Sequence, residues 1–410
     1  MADHGHASIV GRPCPGPLRP HLDSFTQHLI ALGYARKTRG SQLPLVRAFD
    51  RWMARHGVSL ADLDERTVAA FLRASPGLQR RGGRPTLGHL LTHLRTHGVI
   101  VTPPPVVDES PQAQLEYRFR QYLRAERGLV STTVETYLGF FRQFLTEQRG
   151  EAWSSLESLS AADIVAFVQR HARVGSPGRA QLMTTALRAL FRFLFQTGEI
   201  AVDLSATIPT VPDWRLATLP RFLASDDVER LLTACDRQTP AGRRDYAIVL
   251  LLARLGLRAG EVVALELNDL HWRTGEITIR GKKGLRHDRF PLPADVGAAV
   301  AAYLTDRGLS ETRRVFLRMR APRRSFAGPG AVTTIVRRAL VRADLHPPVR
   351  GAHLLRHSLA THMLRHGASL AEIGQVLRHR MASTTEIYAK VDLESLRAVV
   401  QPWPDTGGAR

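Results

Sequence analysis

Cysteine is nearly missing from this chain of 410 residues, which carries only Cys14 and Cys235. Two thiols cannot build a disulfide framework or a Cys-rich zinc site, and such usage fits a reducing cytoplasm. Lysine is scarce as well: Lys37, Lys282, Lys283 and Lys390 are the only four among 57 basic residues. A biased genome accounts for arginine over lysine, but not for the shortage of acids, 37 Asp and Glu against those 57. The resulting net charge of +20 asks for a polyanionic partner, nucleic acid before an anionic membrane surface. Long hydrophobic runs are lacking too. The longest, Tyr246 to Ala253, falls far short of the roughly 20 residues that cross a bilayer and is expected to be a buried helix. The opening MADHGHASIVGRPCPG has no apolar stretch and is not expected to act as a signal peptide.

A hydrophobic fraction of 44% supports globular folding, and the length exceeds one ordinary core. Pro-rich stretches at Thr102–Pro105 and from Ile208 to Pro220 divide the chain into expected domains at 1–105, 113–208 and 219–402. The first two look like copies of one helical unit. Phe25 and Leu29 recur as Phe119 and Leu123, Phe49 as Phe144, Leu63 as Leu159, and Ala70-Phe71-Leu72 as Ala166-Phe167-Val168. In the second copy, Ser131-Thr-Thr133 opens a helix whose aromatics Phe140, Phe141 and Phe144 belong to its core.

The third part begins at Ser225-Asp-Asp-Val-Glu229, an acidic first turn suited to a helix N-terminus. A helix from Asp245 runs toward Gly256. Glu276–Arg280 and Arg289–Leu292 alternate around a Gly-Lys-Lys-Gly turn, the pattern of a hairpin. Helices follow from Gly330, one opened by the capping box Ser369-x-x-Glu372.

Within this part Arg258, Lys282, His353, Arg356, His379 and Tyr388 occur in fixed order. Each has a use at a phosphate. Two guanidiniums can fork onto nonbridging oxygens, which lysine cannot do. A lysine on the hairpin turn can protonate a departing 5′ oxygen, with Lys282 and Lys283 as rivals. His353 is placed to take a phenolic proton, and His379 to hydrogen-bond a phosphate oxygen. Metal binding is the other use of such histidines, since His353/His357 and His362/His366 are each spaced for one helix face, yet no Glu or Cys completes either pair. His357, His362 and His366 are expected to pack or lie at the surface.

The words Gly-Leu-Arg258-x-x-Glu, His353-x-x-Arg356 and Leu377-Arg-His379 followed by Thr-Thr-x-Ile-Tyr388 resemble those of the tyrosine recombinase, or phage integrase, family. The resemblance is strong from about Leu223 to Val400 and extends to about Gln114–Pro209 at the level of fold. It implies a mainly α chain with a small β-sheet: SAM-like helical core-binding domains, then a mixed α/β catalytic domain. It selects Lys282 over Lys283, makes Tyr388 the nucleophile of a 3′-phosphotyrosyl intermediate, and requires neither metal nor cofactor. The implied partner is double-stranded DNA, held by a homotetramer, with other recombinases of the same mobile element possible, in the bacterial cytoplasm at the nucleoid. The segment Leu393–Val400 would form a tail helix, in the family a contact between protomers. Two departures stand out: Arg378 where glycine is frequent, a further phosphate contact by expectation, and Ser358 where threonine is. A type IB topoisomerase and a catalytically silent accessory protein are the alternatives.

Overall fold

The computed structural model describes residues 16–77, 82–102, 108–148, 156, 159–212, 220–281, 287–308, 310, 312–379 and 381–391. The chain divides into two units: one combines Met1–Pro103 with Leu219–Arg410, and the other is Pro104–Thr218. The breaks fall in the two Pro-rich stretches. The first and third segments nevertheless share a unit, while each keeps its own hydrophobic core.

The N-terminal bundle contains α1 (Leu22–Ala31), α2 (Arg36–Arg55), α3 (Glu65–Ala74) and α4 (Gly83–Thr96). The second unit repeats it as α5 (Pro111–Gln121), α6 (Ser131–Gln148), α7 (Ala161–Val174) and α8 (Pro177–Gln196). Phe25, Leu29 and Phe49 are fully buried, and so are Phe119, Leu123 and Phe144. The helices also end alike. Gly98 donates to Arg95 O at 3.0 Å and Val99 to Leu94 O at 2.9 Å; Gly198 donates to Phe195 O at 3.1 Å and Glu199 to Leu194 O at 2.9 Å. Both glycines have positive φ, which this closing turn demands, and Ile100 and Ile200 then fold back into their cores. Between Leu123 and Gly128 the second copy has one residue more than the first has between Leu29 and Gly33. A π-helical turn at Tyr122–Glu126 absorbs it, since a wider turn accepts an insertion without breaking the helix. α3 and α7 start on the side chains of Asp64 and Ser160, which accept from Thr67 N and Asp163 N.

The C-terminal segment holds α9 (Ser225–Thr233), α10 (Pro240–Leu255) and α11 (Ala259–Ala264), then a sheet of β1 (Leu270–His271), β2 (Glu276–Arg280) and β3 (His287–Pro291). The sheet is antiparallel in the order β1-β2-β3, with Ile277 opposite Phe290 and Ile279 opposite Asp288. Ile277 and Ile279 turn one face onto the core, as alternation predicts. Four helices follow: α12 (Ala294–Arg307), α13 (Gly330–Arg342), α14 (Ala352–Arg365) and α15 (Leu370–Val376). Two 3-10 turns, Ala382–Thr384 and Glu386–Val391, end the described chain.

Helix α10 starts at Pro240, not at Asp245 as expected. Thr239 caps it by accepting from Gly242 N, and Pro240 takes the first turn, where its missing N–H costs nothing. The buried Arg244 is accommodated because its guanidinium binds Asp245 and Leu317 O. The hairpin forms as expected, but its turn, with Lys282 and Lys283, lies outside the described residues. So does Leu393–Val400. No helix among the described residues is long and apolar enough to cross a membrane.

Candidate active site

Helix α10 ends at Gly256, whose φ of +56° belongs to the left-handed region. A Cβ there would stand 2.7 Å from Leu377 Cδ2 and 3.0 Å from Leu359 Cδ2. Only glycine both makes this turn and lets α14 and α15 close over it. The turn places Arg258 at the head of α11. Glu261 fixes it twice, accepting from Arg258 N at 2.8 Å and from its Nη1 at 2.8 Å. Burial works against the Glu261 carboxylate, but Arg378, with the Arg258 N–H and guanidinium, brings its pKa below the ordinary value.

Arg356 lies on the inner face of α14 and is 3% exposed. Its guanidinium donates to the carbonyls of Gly256 and Leu377. Arg258 Nη2 donates to the next carbonyl, that of Arg378, at 3.4 Å. The two arginines thus converge on one turn, immediately before His379. Burial first, then repulsion from Arg258 and Arg378, brings Arg356 down to about 10, still a cation at neutral pH.

Tyr388 is 1% exposed, packed with Ala360, Ile373 and Leu377. Its ring is parallel to that of His379, with centroids 6.5 Å apart. His379 Nδ1 hydrogen-bonds Thr385 Oγ1 at 2.7 Å. Burial, with help from Arg356 and Arg258, lowers His379 to about 4. Burial raises Tyr388 to about 12, although Arg356 and Arg258 pull the other way. Both groups are therefore neutral at pH 7 in the chain without DNA.

Position 357 was expected to be packing or surface, and the structure corrects that expectation. His357 Nδ1 lies 2.8 Å from Tyr388 Oη and is its hydrogen-bond partner. The two histidines lie one turn apart on the same face of α14; His357 is half-buried where Tyr388 packs against the helix, whereas His353, at the first turn, is exposed. The His353 and His357 rings are 6.3 Å apart. Burial, then His353 and Arg356, lowers His357 to about 4. Among the described residues no group of three His, Cys, Asp or Glu could hold a metal ion. His362 instead meets Ser225 Oγ, and His366 Nδ1 meets the His362 carbonyl.

Arg378 is also corrected. It does not reach outward for phosphate; its Nη2 binds Glu261 Oε2 at 2.9 Å, and its guanidinium lies 5.0 Å from the Phe290 ring centroid. Its φ of +56° explains why glycine suits the position, and the ion pair holds the arginine there. Ser358 keeps a structural hydroxyl, accepting from Leu223 N at 2.8 Å and donating to Leu354 O at 2.9 Å. Of the six residues singled out in the sequence, Arg258, Arg356, His379 and Tyr388 share one cluster. His353 is at its edge, and Lys282 lies outside the described residues. His357, Glu261 and Thr385 complete the cluster. Their only signals were adjacency to Arg356, the fixed Glu three residues after Arg258, and the Thr-Thr before the tyrosine.

Residues 221–394 match the phage integrase family, and residues 117–198 match the phage integrase N-terminal SAM-like domain. The protein named integrase/recombinase y4rA of Sinorhizobium fredii is 42% identical over 96% of this chain and 97% of its own. The chain belongs to the phage integrase family of tyrosine recombinases. As a member it is a tyrosine-type site-specific DNA recombinase. Tyrosine recombinase XerD of Listeria monocytogenes serotype 4b is 32% identical over 68% of this chain and 95% of its own. The fold is shared with XerH recombinase in a post-cleavage complex with palindromic difH substrate, at a TM-score of 0.54 and 19% identity over 71% of this chain and 97% of that one.

Proposed function

We propose that this recombinase cuts duplex DNA with Tyr388 and rejoins it without metal or cofactor. The convergence of Arg258 and Arg356 on the Leu377–Arg378 turn, beside the Tyr388 ring, carries the reading. A phosphate there would meet two fixed guanidiniums, and stabilising developing charge on nonbridging oxygens is the main demand of phosphoryl transfer. His379 adds a hydrogen bond. Tyr388 Oη attacks phosphorus, the P–O5′ bond breaks, and the leaving 5′ oxygen takes a proton from Lys282. The phenolic proton passes to a histidine of α14. His357 restrains the hydroxyl in the free chain, and His353, exposed toward solvent, is the base once DNA displaces the tyrosine from its pocket. The 3′-phosphotyrosyl bond conserves the phosphodiester, so a second 5′ hydroxyl can reverse the step without ATP. Four such exchanges on paired duplexes, in a homotetramer, complete recombination.

A nicked suicide duplex carrying the target site tests this. Wild-type protein is expected to give a covalent adduct on a denaturing gel, equally with and without EDTA, and Tyr388→Phe none. A wild type that forms no adduct supports a silent accessory role, and loss of cutting in EDTA a metal-dependent nuclease.

A further inference from the structure

We propose that the N-terminal bundle, residues 16–102, is a second grip on the backbone of duplex DNA, through the end of the bundle where α2 and α4 begin. This rests on the reading that the chain works on duplex DNA, but not on which residue cuts it. The SAM-like match covers only the second copy of the repeat. That copy is electrically balanced: residues 108–212 contain eleven Arg and eleven Asp or Glu. The first copy is not. Residues 16–102 contain thirteen Arg and Lys against five Asp and Glu.

The charge is also segregated end to end. Tyr34 Oη meets His89 Nε2 at 2.9 Å, which brings the start of α2 beside the first half of α4. Arg95 pairs with Glu65, joining the end of α4 to the start of α3, and Asp50 accepts from Leu18 N, joining the end of α2 to the entry of α1. All five acids, Asp23, Asp50, Asp62, Asp64 and Glu65, therefore belong to that second end, where Asp50, Asp64 and Glu65 are already engaged by backbone N–H groups or Arg95. The opposite end holds the exposed Arg36, Lys37, Arg73 and Arg84 and, among the described residues, no acid. Arg323 of the C-terminal segment continues this end. Its N–H donates to Leu32 O at 2.7 Å, its side chain covers Gly33, and the exposed Arg324 is near enough to His89 to act on it electrostatically.

An acid-free cationic end fits phosphate, where each contact releases counterions. Duplex rather than single strand is favoured because no exposed Phe, Tyr or Trp lies among the described residues of this bundle; single-strand binders stack bases on such rings.

The test uses the full chain and a labelled duplex of random sequence, with affinity measured across a salt series. One variant carries Arg36→Ala, Lys37→Ala and Arg84→Ala. A second removes the same charge from the acidic end, through Arg51→Ala, Arg55→Ala and Arg66→Ala. The first is expected to lower the slope of log K against log salt by about 2–3, near 0.9 per phosphate contact, and the second by less than about 1. Equal effects overturn the proposal, as does a loss larger on single-stranded than on duplex DNA. If the first variant melts early, Arg36→Lys with Arg84→Lys must retain the wild-type slope; a lost slope with charge retained overturns it too. The suicide-substrate adduct, measured with saturating protein, is expected to survive in the first variant. Its absence from the wild type would defeat the Tyr388 reading while leaving the salt slopes to decide this one.

Discussion

The hydroxyl of Tyr388, the proposed nucleophile, is hydrogen-bonded to His357 in a pocket where it holds its proton more firmly than free tyrosine does. Two consequences belong at this scale. His357 and His379 both have pKa values depressed to about 4, against about 6.5 in an unfolded chain. Their contribution to stability is complete above pH 6.5 and is lost as pH falls toward 4, because the unfolded chain takes up the protons first. The melting temperature should therefore drop across that interval, and His357→Gln should flatten the slope; an unchanged slope would show that His357 is not held neutral. Lys282 gives the second. If it protonates the leaving oxygen, Lys282→Ala should slow cleavage by roughly 10²–10⁴-fold. Sulfur in place of that 5′ oxygen should restore the rate, since a thiolate departs without an acid. Lys283→Ala should be neither slow nor rescued. The sequence made the arginines and the tyrosine legible because their neighbouring words are distinctive. It did not expose His357, since spacing marks two histidines as sharing a helix but not which of them faces the core.

At the level of elements, the described part of the site depends on two chain reversals, Gly256 and the Leu377–Arg378 turn. Gly256→Ala should cost about 1–3 kcal/mol, from the positive φ and from crowding of Leu377 and Leu359. Chemical denaturation of the purified variant measures this, and an unchanged midpoint would mean that α15 can move away at no expense. The hairpin and the α15 capping box were readable from alternation and from Ser369-x-x-Glu372. The true start of α10 was missed because the charged Arg243 and Arg244 mask its periodicity, although Thr239-Pro240 is a sound start signal. Arg378 was misjudged for a related reason. A cation beside a phosphate site looks like a ligand until its carboxylate partner, Glu261, is brought 117 positions along the chain to meet it.

Across the whole molecule, the two N-terminal helical units share one pattern. Buried aromatics recur at a spacing that drifts by a few residues, the closing glycine turns match, and a π-helical turn takes up the first of the extra residues. The core pattern survives in both copies, whereas their surfaces have diverged in charge. That contrast was hidden in the total of +20, because a net charge has no address until helices assign ends to it. Both copies and the C-terminal segment serve, in this account, to bring one phosphodiester to one phenol. The most direct measurement is therefore chemical: trap the adduct on a suicide duplex, digest with trypsin, and locate the nucleotide by mass spectrometry. The account predicts a 3′-linked nucleotide on the peptide from Met381 to Lys390, at Tyr388. A nucleotide on any other residue, or one joined through its 5′ end, would contradict it.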